Sequence, residues 1–363
     1  MSTRSVMIMA GGTGGHVFPA LAVAHALRDQ EIDVVWLGTR QGLEARVVPG
    51  AGFPMEWISV SGLRGKGFMS WVLAPLRLLI ALLQSLRVIA RRKPGAVLGM
   101  GGFVSGPGGI AAWLSRRPLV IHEQNAVAGV TNRVLARFAT RILEGFPGSF
   151  GERAQAETIG NPVRREIIAV APPQQRFADR TGPPRLLVIG GSQGALALNT
   201  WIGPALSKWK WQQAPVVRHQ AGVKTLDTAR AAYADAGFEF TIEPFIEDMA
   251  EAYAWADLVV CRAGAITVAE LAAVGVAAVL IPFPSAVDDH QTRNAEFLVN
   301  AGAAELLRQS EMSEERLGAC IGRLLADRTV LLRMAERARV LAKPSAGDSL
   351  TEACAALASG DSK

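Results

Sequence analysis

Cysteine is scarce. Only Cys261, Cys320 and Cys354 occur in 363 residues, far apart and in no C-x-x-C spacing. That argues against a disulfide framework or a structural zinc site and fits a reducing cytosol. Long uncharged apolar runs are missing too. The most apolar segment, 68–93, is interrupted by Pro75 and Arg77, which speaks against a membrane-spanning helix. The apolar residues 6–10 ahead of the first glycines are too few for a secretory signal core, so a cytoplasmic location is expected. Acid is absent from Trp57 to His122, where nine basic residues stand. Extended to Leu143, the stretch holds twelve basic residues against Glu123 alone. The whole chain nets only +6, so the remainder is net negative. Such a segment suits a nucleic acid, an anionic membrane surface or a phosphorylated ligand. Nucleic acid is the poorest fit, because 77–92 contains no aromatic residue to stack on a base.

What is present points to two domains. Half the residues are apolar and 19% are charged, enough for large buried cores. Residues 5–10 (SVMIMA) read as a buried strand, followed by Gly11-Gly12-Thr13-Gly14-Gly15-His16 and an apolar helical pattern over 17–28. Further strands are predicted at 33–37, 96–98 and 119–122. After the proline-rich stretch 161–184 the pattern restarts: a strand over 185–189, the glycine loop 190–194, and a helix over 195–206. A strand at 258–261, a helix at 265–274 and a strand at 279–281 follow. The spacing predicts two doubly wound α/β domains facing a cleft, divided as 1–162 and 163–363, with the last helix free to cross back to the first domain.

The segment 68–93 reads as a helix with Arg77, Gln84, Arg87 and Arg91 along one narrow face. Two readings stay open: a buried core helix, or a helix that presents apolar surface ringed by Arg and Lys to anionic lipid, with Trp71, Leu79, Leu82, Arg87 and Arg91 as the contacting residues. The helical spacing of Arg133, Arg137 and Arg141 predicts a shared basic face.

Both glycine loops follow a strand and open a helix, where backbone N–H groups and the helix dipole favour phosphate. Neither is a dinucleotide fingerprint. Val17 stands where the third glycine belongs, the second strand ends in Gly38-Thr39 instead of an acid, and the P-loop lysine is missing. A nicotinamide-dependent or ATP-hydrolysing enzyme is thereby disfavoured.

The motifs MAGGTGGHVFPALAVAHAL (9–27), SGLRGKG (61–67), LGMGGFVSGPGG (98–109), HEQNAVAGVTN (122–132), GNPVR (160–164), GGSQGA (190–195), YAWADLVVCRAGAITVAELAAVG (253–275) and DDHQTRNA (288–295) run in order along nearly the whole chain. Together they resemble the bacterial peptidoglycan glycosyltransferases that add N-acetylglucosamine to undecaprenyl-pyrophosphoryl-MurNAc-pentapeptide. The resemblance implies the GT-B fold, a UDP-GlcNAc-binding C-terminal domain, and an N-terminal domain that holds the lipid-linked acceptor at the inner face of the cell membrane. It implies a role in cell-wall biogenesis, cell shape and division, with other cell-wall synthesis proteins as further partners. A UDP-sugar epimerase on the same fold is the rival enzyme, but it would not need the greasy basic helix.

The resemblance also implies site residues. Ser192 would contact the donor phosphates, and Ile246 would hold the uracil through its backbone. Ala265, Ile266, Thr267, Val268, Ala269 and Glu270 would line the donor, with Glu270 accepting from the ribose hydroxyls. His290 and Gln291 fall in the sugar-contacting stretch. Arg164 would steady the departing diphosphate, and Thr13, Gly14, Gly15 and Asn125 would complete the donor contacts. The family inverts the anomeric centre, which requires a base for the acceptor hydroxyl. His16 is the first candidate, since a helix N-terminus favours the neutral imidazole; Glu123 is the second. Two departures stand out: Phe103 where tyrosine is common in the family, and His290 where some members have glutamine. No Asp-x-Asp occurs, so no cofactor and no essential metal are expected.

Overall fold

In the first half of the chain the strands are β1 (Ser5–Met9), β2 (Asp33–Gly38), β3 (Met55–Trp57), β4 (Ala96–Gly99), β5 (Leu119–Glu123), β6 (Arg141–Glu144) and β7 (Glu157–Thr158). They form one parallel sheet in the order β3-β2-β1-β4-β5-β6-β7. The central strands VMIM and AVL are continuous apolar runs because a parallel sheet is covered on both faces. Helices α1 (Gly14–Asp29), α2 (Glu44–Gly50), α3 (Ala74–Arg92), α4 (Ser105–Leu114) and α5 (Val130–Leu135) connect them. The computed structural model describes residues 4–60, 73–151, 154–191, 194–284, 286 and 289–360.

The second half repeats the plan. Strands β8 (Arg185–Ile189), β9 (Val216–Gln220), β10 (Phe240–Glu243), β11 (Leu258–Cys261), β12 (Ala277–Leu280) and β13 (Ala304–Leu306) form a parallel sheet in the order β10-β9-β8-β11-β12-β13. Its helices are α6 (Arg165–Ile168), α7 (Pro173–Ala178), α8 (Leu196–Lys208), α9 (Leu226–Ala232), α10 (Met249–Trp255), α11 (Ala265–Val274), α12 (His290–Val299), α13 (Glu314–Leu325) and α14 (Arg328–Val340). In each sheet the order reverses at the first strand, so the loops after β1 and β4, and after β8 and β11, open at the point where such sheets bind ligands.

The chain divides into two compact units, Met1–Pro162 with Pro344–Lys363, and Val163–Lys343. The second unit therefore ends at Lys343 and not at the chain's end. The last helix, α15 (Ala346–Ser359), packs on α1 and β4, burying Leu350, Cys354 and Leu357. Each of the two leucines contributes roughly 1.5–3 kcal/mol by leaving water. Gly95 is required opposite it, since a Cβ there would meet Ala358 O at 2.7 Å. The proline-rich segment before β8 is no loose linker. Arg180 bonds Asp257 and the carbonyls of Ala254 and Trp255, while Arg176 reaches the carbonyls of Val274 and Gly275. Asp257 is fully buried, so this pairing is the compensation its charge requires.

Two expectations of side-chain placement change. Arg141 begins β6 and pairs with Glu157, so it shares no helix face with Arg133; α5 stops at Leu135. On α3 the apolar face is out: Leu76, Leu79, Ile80 and Leu83 are all exposed, at helical spacing, with Arg87 exposed beyond them. Ala74, Ala81, Ser85, Val88 and Ile89 face the core. Leu82 lies half-buried against that core, and Arg91 joins Arg92 in binding Glu56. Those two belong to the flanks of the apolar face. Trp71 lies outside the described residues. No described helix is long and apolar enough to cross a membrane.

Candidate functional site

In the first unit the site is built on glycine backbones. Gly12 takes φ +90° after β1, and α1 starts at Gly14 with Thr13 as its N-cap, so Gly14, Gly15 and His16 form its first turn. The Thr13 carbonyl accepts from the N–H of His16 (3.1 Å) and of Val17 (3.2 Å). No acidic residue lies in that turn, leaving its positive end uncompensated by side-chain charge. The loop after β4 lies directly against it: Gly102, at φ +84°, has no room for a side chain because Gly11 O fills the space. A Cβ on Gly101 would meet His16 Cδ2 and Nε2 at 3.0 Å, so the imidazole rests on the Gly101 backbone. Its Nδ1 lies 3.4 Å from Thr13 Oγ1.

Glu44, which no motif signals, underpins this loop. It is 1% exposed. Oε2 accepts from Gly12 N (3.0 Å), and Oε1 accepts from Thr39 N (3.1 Å) and Thr39 Oγ1 (2.8 Å).

Glu123 is also buried, and its carboxylate accepts from four donors. Oε1 takes Asn125 N (3.0 Å) and Nδ2 (3.1 Å); Oε2 takes Gly129 N (3.1 Å) and Asn132 Nδ2 (2.9 Å). A carboxylate so engaged fixes the 125–129 turn, which is a holding role and not that of a proton acceptor. His122 is sealed in the core with its Nε2 2.9 Å from Gly160 O and its Nδ1 3.1 Å from Gln124 Nε2. Donation to the carbonyl and acceptance from the amide define the neutral Nε2–H tautomer. Burial, above all, lowers its pKa.

The second unit holds the other residues. After β8, Gly190 N donates to Gln220 O (2.9 Å) and Gly191 N to Gln220 Oε1 (3.2 Å), so Gln220 shapes the second glycine loop. Gly191 and Gly194 both have positive φ. Ser192 lies outside the described residues. After β11, Gly264 caps α11, whose first turns carry Ala265 to Glu270. Ile266, Thr267, Ala269 and Glu270 are partly exposed. Val268 is not available as lining: its side chain is fully buried and its N–H donates to Gly264 O (2.9 Å). Ala265 is 7% exposed.

Glu270 sits in a small charged network. Its Oε2 accepts from Tyr253 Oη at 3.0 Å, and Arg164 Nη2 stands 3.6 Å from Oε1. Burial raises the Glu270 pKa, against the opposing pull of Arg164 and the Tyr253 hydroxyl. Arg164 also lines an open cavity of about 650 Å³ with Glu166, Val170, Asp248 and Met249. Ile246 precedes this wall with its side chain buried, so its backbone is the part that could face a ligand.

Arg262 organises the approach to α12. It donates to Ile281 O and Pro282 O (both 3.1 Å) and to Gln309 Oε1 (2.7 Å), and lies over the Phe283 ring. Gln291 Oε1 accepts from Phe283 N (2.9 Å), and Asn294 Nδ2 donates to Ala263 O (3.1 Å). His290 is the half-buried first residue of α12. Tyr253, Arg262 and Asn294 lie inside motif stretches without being singled out there; Glu44 and Gln220 had no sequence signal. Among the described residues no three His, Cys, Asp or Glu side chains group so as to hold a metal ion.

Comparison with known proteins agrees with this layout. The glycosyltransferase family 28 N-terminal domain matches residues 6–144 and its C-terminal domain residues 185–350. The chain is 59% identical over 352 residues to the UDP-N-acetylglucosamine–N-acetylmuramyl-(pentapeptide) pyrophosphoryl-undecaprenol N-acetylglucosamine transferase of Alkalilimnicola ehrlichii, covering 97% of this chain and 98% of that one. It is 55% identical over 355 residues to the protein of the same name from Nitrosococcus oceani, covering 98% and 99%. The crystal structure of Acinetobacter baumannii MurG superposes with a TM-score of 0.84 at 42% identity, over 96% of this chain and 98% of that one. The chain belongs to glycosyltransferase family 28 and, as the motifs implied, is built of two Rossmann-like units of the GT-B class.

Proposed function

We infer that the protein is a UDP-GlcNAc-dependent hexosyltransferase. It moves N-acetylglucosamine with inversion onto the 4-hydroxyl of undecaprenyl-pyrophosphoryl-MurNAc-pentapeptide, forming the β(1→4)-linked lipid disaccharide from which peptidoglycan is made. The observation that carries this is full-length identity above 50% to two transferases of that name. The direct test is transfer of radiolabelled GlcNAc from its UDP derivative to a lipid-linked muramyl acceptor. Release of an epimerised sugar without acceptor would instead indicate the epimerase.

The residue roles are our assignment. His16 Nε2 takes the acceptor proton as the acceptor oxygen attacks the anomeric carbon and the bond to UDP breaks. A hydrogen bond from Nδ1–H toward Thr13 Oγ1 would select the tautomer whose basic nitrogen is Nε2. Thr13, Gly14, Gly15 and Asn125 complete the donor contacts; Glu123 and Glu44 hold the loops that present them. In the second unit the glycine loop with Ser192 takes the diphosphate, the Ile246 backbone the uracil, and Glu270 the ribose. Arg164 balances the charge of the leaving UDP. His290 and Gln291 contact the sugar. With no Asp-x-Asp in the chain, we assign the leaving-group charge to these donors and to no resident metal.

We further assign the exposed row Leu76, Leu79, Ile80 and Leu83, with Arg87 beyond it, to the anionic inner leaflet, making the protein peripheral on the cytoplasmic side. A soluble sugar donor and a bilayer-tethered acceptor require such a surface.

A further inference from the structure

Tyr253 is 1% exposed on α10, and its hydroxyl reaches Glu270 Oε2 at 3.0 Å. A buried phenol needs a partner, yet this one is spent on a carboxylate that is itself only 12% exposed. The two carboxylate oxygens are thereby made unequal. Oε2 is engaged from the core by the phenol at 3.0 Å, while Oε1, among the described residues, is met more loosely by Arg164 at 3.6 Å. Unheld, the three side-chain torsions of Glu270 would have to be frozen each time a ligand bound.

We propose that Tyr253 is a positioning residue for nucleotide recognition: its hydroxyl locks the Glu270 carboxylate so that Oε1 meets the ribose hydroxyls, making the site selective for ribonucleotides over 2′-deoxyribonucleotides. This rests on Glu270 being the ribose acceptor. The groups that face the carboxylate are Arg164 at the N-cap of α6, Glu166 in its first turn, Tyr253 on α10 and Cys261 on β11. Arg164 and the phenol favour its charged form, while burial and Glu166 oppose it. The pKa of Tyr253 lies well above the usual phenol range, so it remains a donor throughout.

The experiment is calorimetric binding of UDP and 2′-deoxy-UDP to the full chain and to Tyr253→Phe, Glu270→Ala and the double variant. Tyr253→Phe keeps the ring and its packing. It is expected to weaken UDP about tenfold, equivalent to ~1.4 kcal/mol, and to weaken 2′-deoxy-UDP less, so that selectivity narrows. The acid limb of UDP binding should move to higher pH, because a group that stabilises the carboxylate has gone. In the Glu270→Ala background the Phe change should cost nothing further. Equal losses in both backgrounds would show a merely structural tyrosine and overturn the proposal, as would unchanged binding by Tyr253→Phe alone while Glu270→Ala weakens it. If Glu270→Ala itself leaves UDP affinity intact, the ribose assignment falls first. Should the Phe variant not fold, the wild type still decides: equal affinity for the two nucleotides overturns the selectivity.

Discussion

Glu44→Gln isolates what holds the first glycine loop in place. The change keeps the side chain's volume and removes its charge. The amide oxygen can keep the two Thr39 donors, but the amide nitrogen must then face Gly12 N, donor against donor. One charge-assisted hydrogen bond, from Gly12 N, is lost, and the new amide N–H is left unpaired at a position 1% exposed. The first costs about 1.5–3 kcal/mol and the second about 1–3; because Gly12 is exposed and its N–H can turn to water, a total toward the low end, about 3 kcal/mol, is expected for the first unit. For a unit of about 180 residues that lowers Tm by roughly 6–12 °C. The loop carries His16, which rests on Gly101 with no slack. A displaced loop misplaces the base, and turnover should fall about 10- to 100-fold. UDP affinity, which is assigned mainly to the other unit, should fall far less than turnover. Scanning calorimetry, steady-state transfer and UDP titration measure the three quantities on one sample. A Gln variant that melts and turns over like wild type would refute the reasoning, as would one whose only defect is in UDP affinity.

Three further outcomes are expected. His16→Ala should lower turnover at least 100-fold while UDP binding by calorimetry stays within twofold; near-normal turnover would remove it as the base. Leu79→Glu with Leu83→Glu should abolish sedimentation with anionic liposomes yet spare transfer to a soluble acceptor analogue, since both side chains are exposed and support no core; undiminished sedimentation would end the membrane assignment. His219, buried between Tyr233 Oη and Asn199 Oδ1, has its pKa pushed down to about 3 by burial. The unfolded chain binds a proton there below its ordinary 6.5 while the native one does not, so stability is full above that pH and falls as pH drops toward 3. The slope is about 1.4 kcal/mol per pH unit from this group. Chemical denaturation of wild type and His219→Gln across pH 4–7 should show the variant's dependence shallower by that amount, and parallel curves would refute it.

The repeated strand, glycine loop and helix were legible because apolar runs and glycines act locally. A fully buried parallel strand must be apolar throughout, and a loop that approaches another backbone, as Gly102 approaches Gly11, must lack a side chain. The edge strands β3, β7, β10 and β13 were not legible: each has two to four residues, and half or more of them only partly buried, too little pattern to mark. The motif residues His16 and Glu270 could be named as candidates because the stretches around them resemble a known family, although what lies against them, Gly101 at His16 and Arg164 at Glu270, comes from elsewhere in the chain. Glu44 and Gln220 could not. They reach their glycine loops from 32 and 29 residues away, and a lone acid or amide carries no sign of which backbone N–H it will find. For α3 the sequence specified an amphipathic helix but left its direction open. Which face is buried depends on where β3 and α4 lie, and only folding brought Glu56 to Arg91 and turned Leu79 and Leu83 outward. Composition and periodicity determine what an element is. What its side chains touch is decided by long-range packing, a property of the whole sheet and of no single stretch of chain.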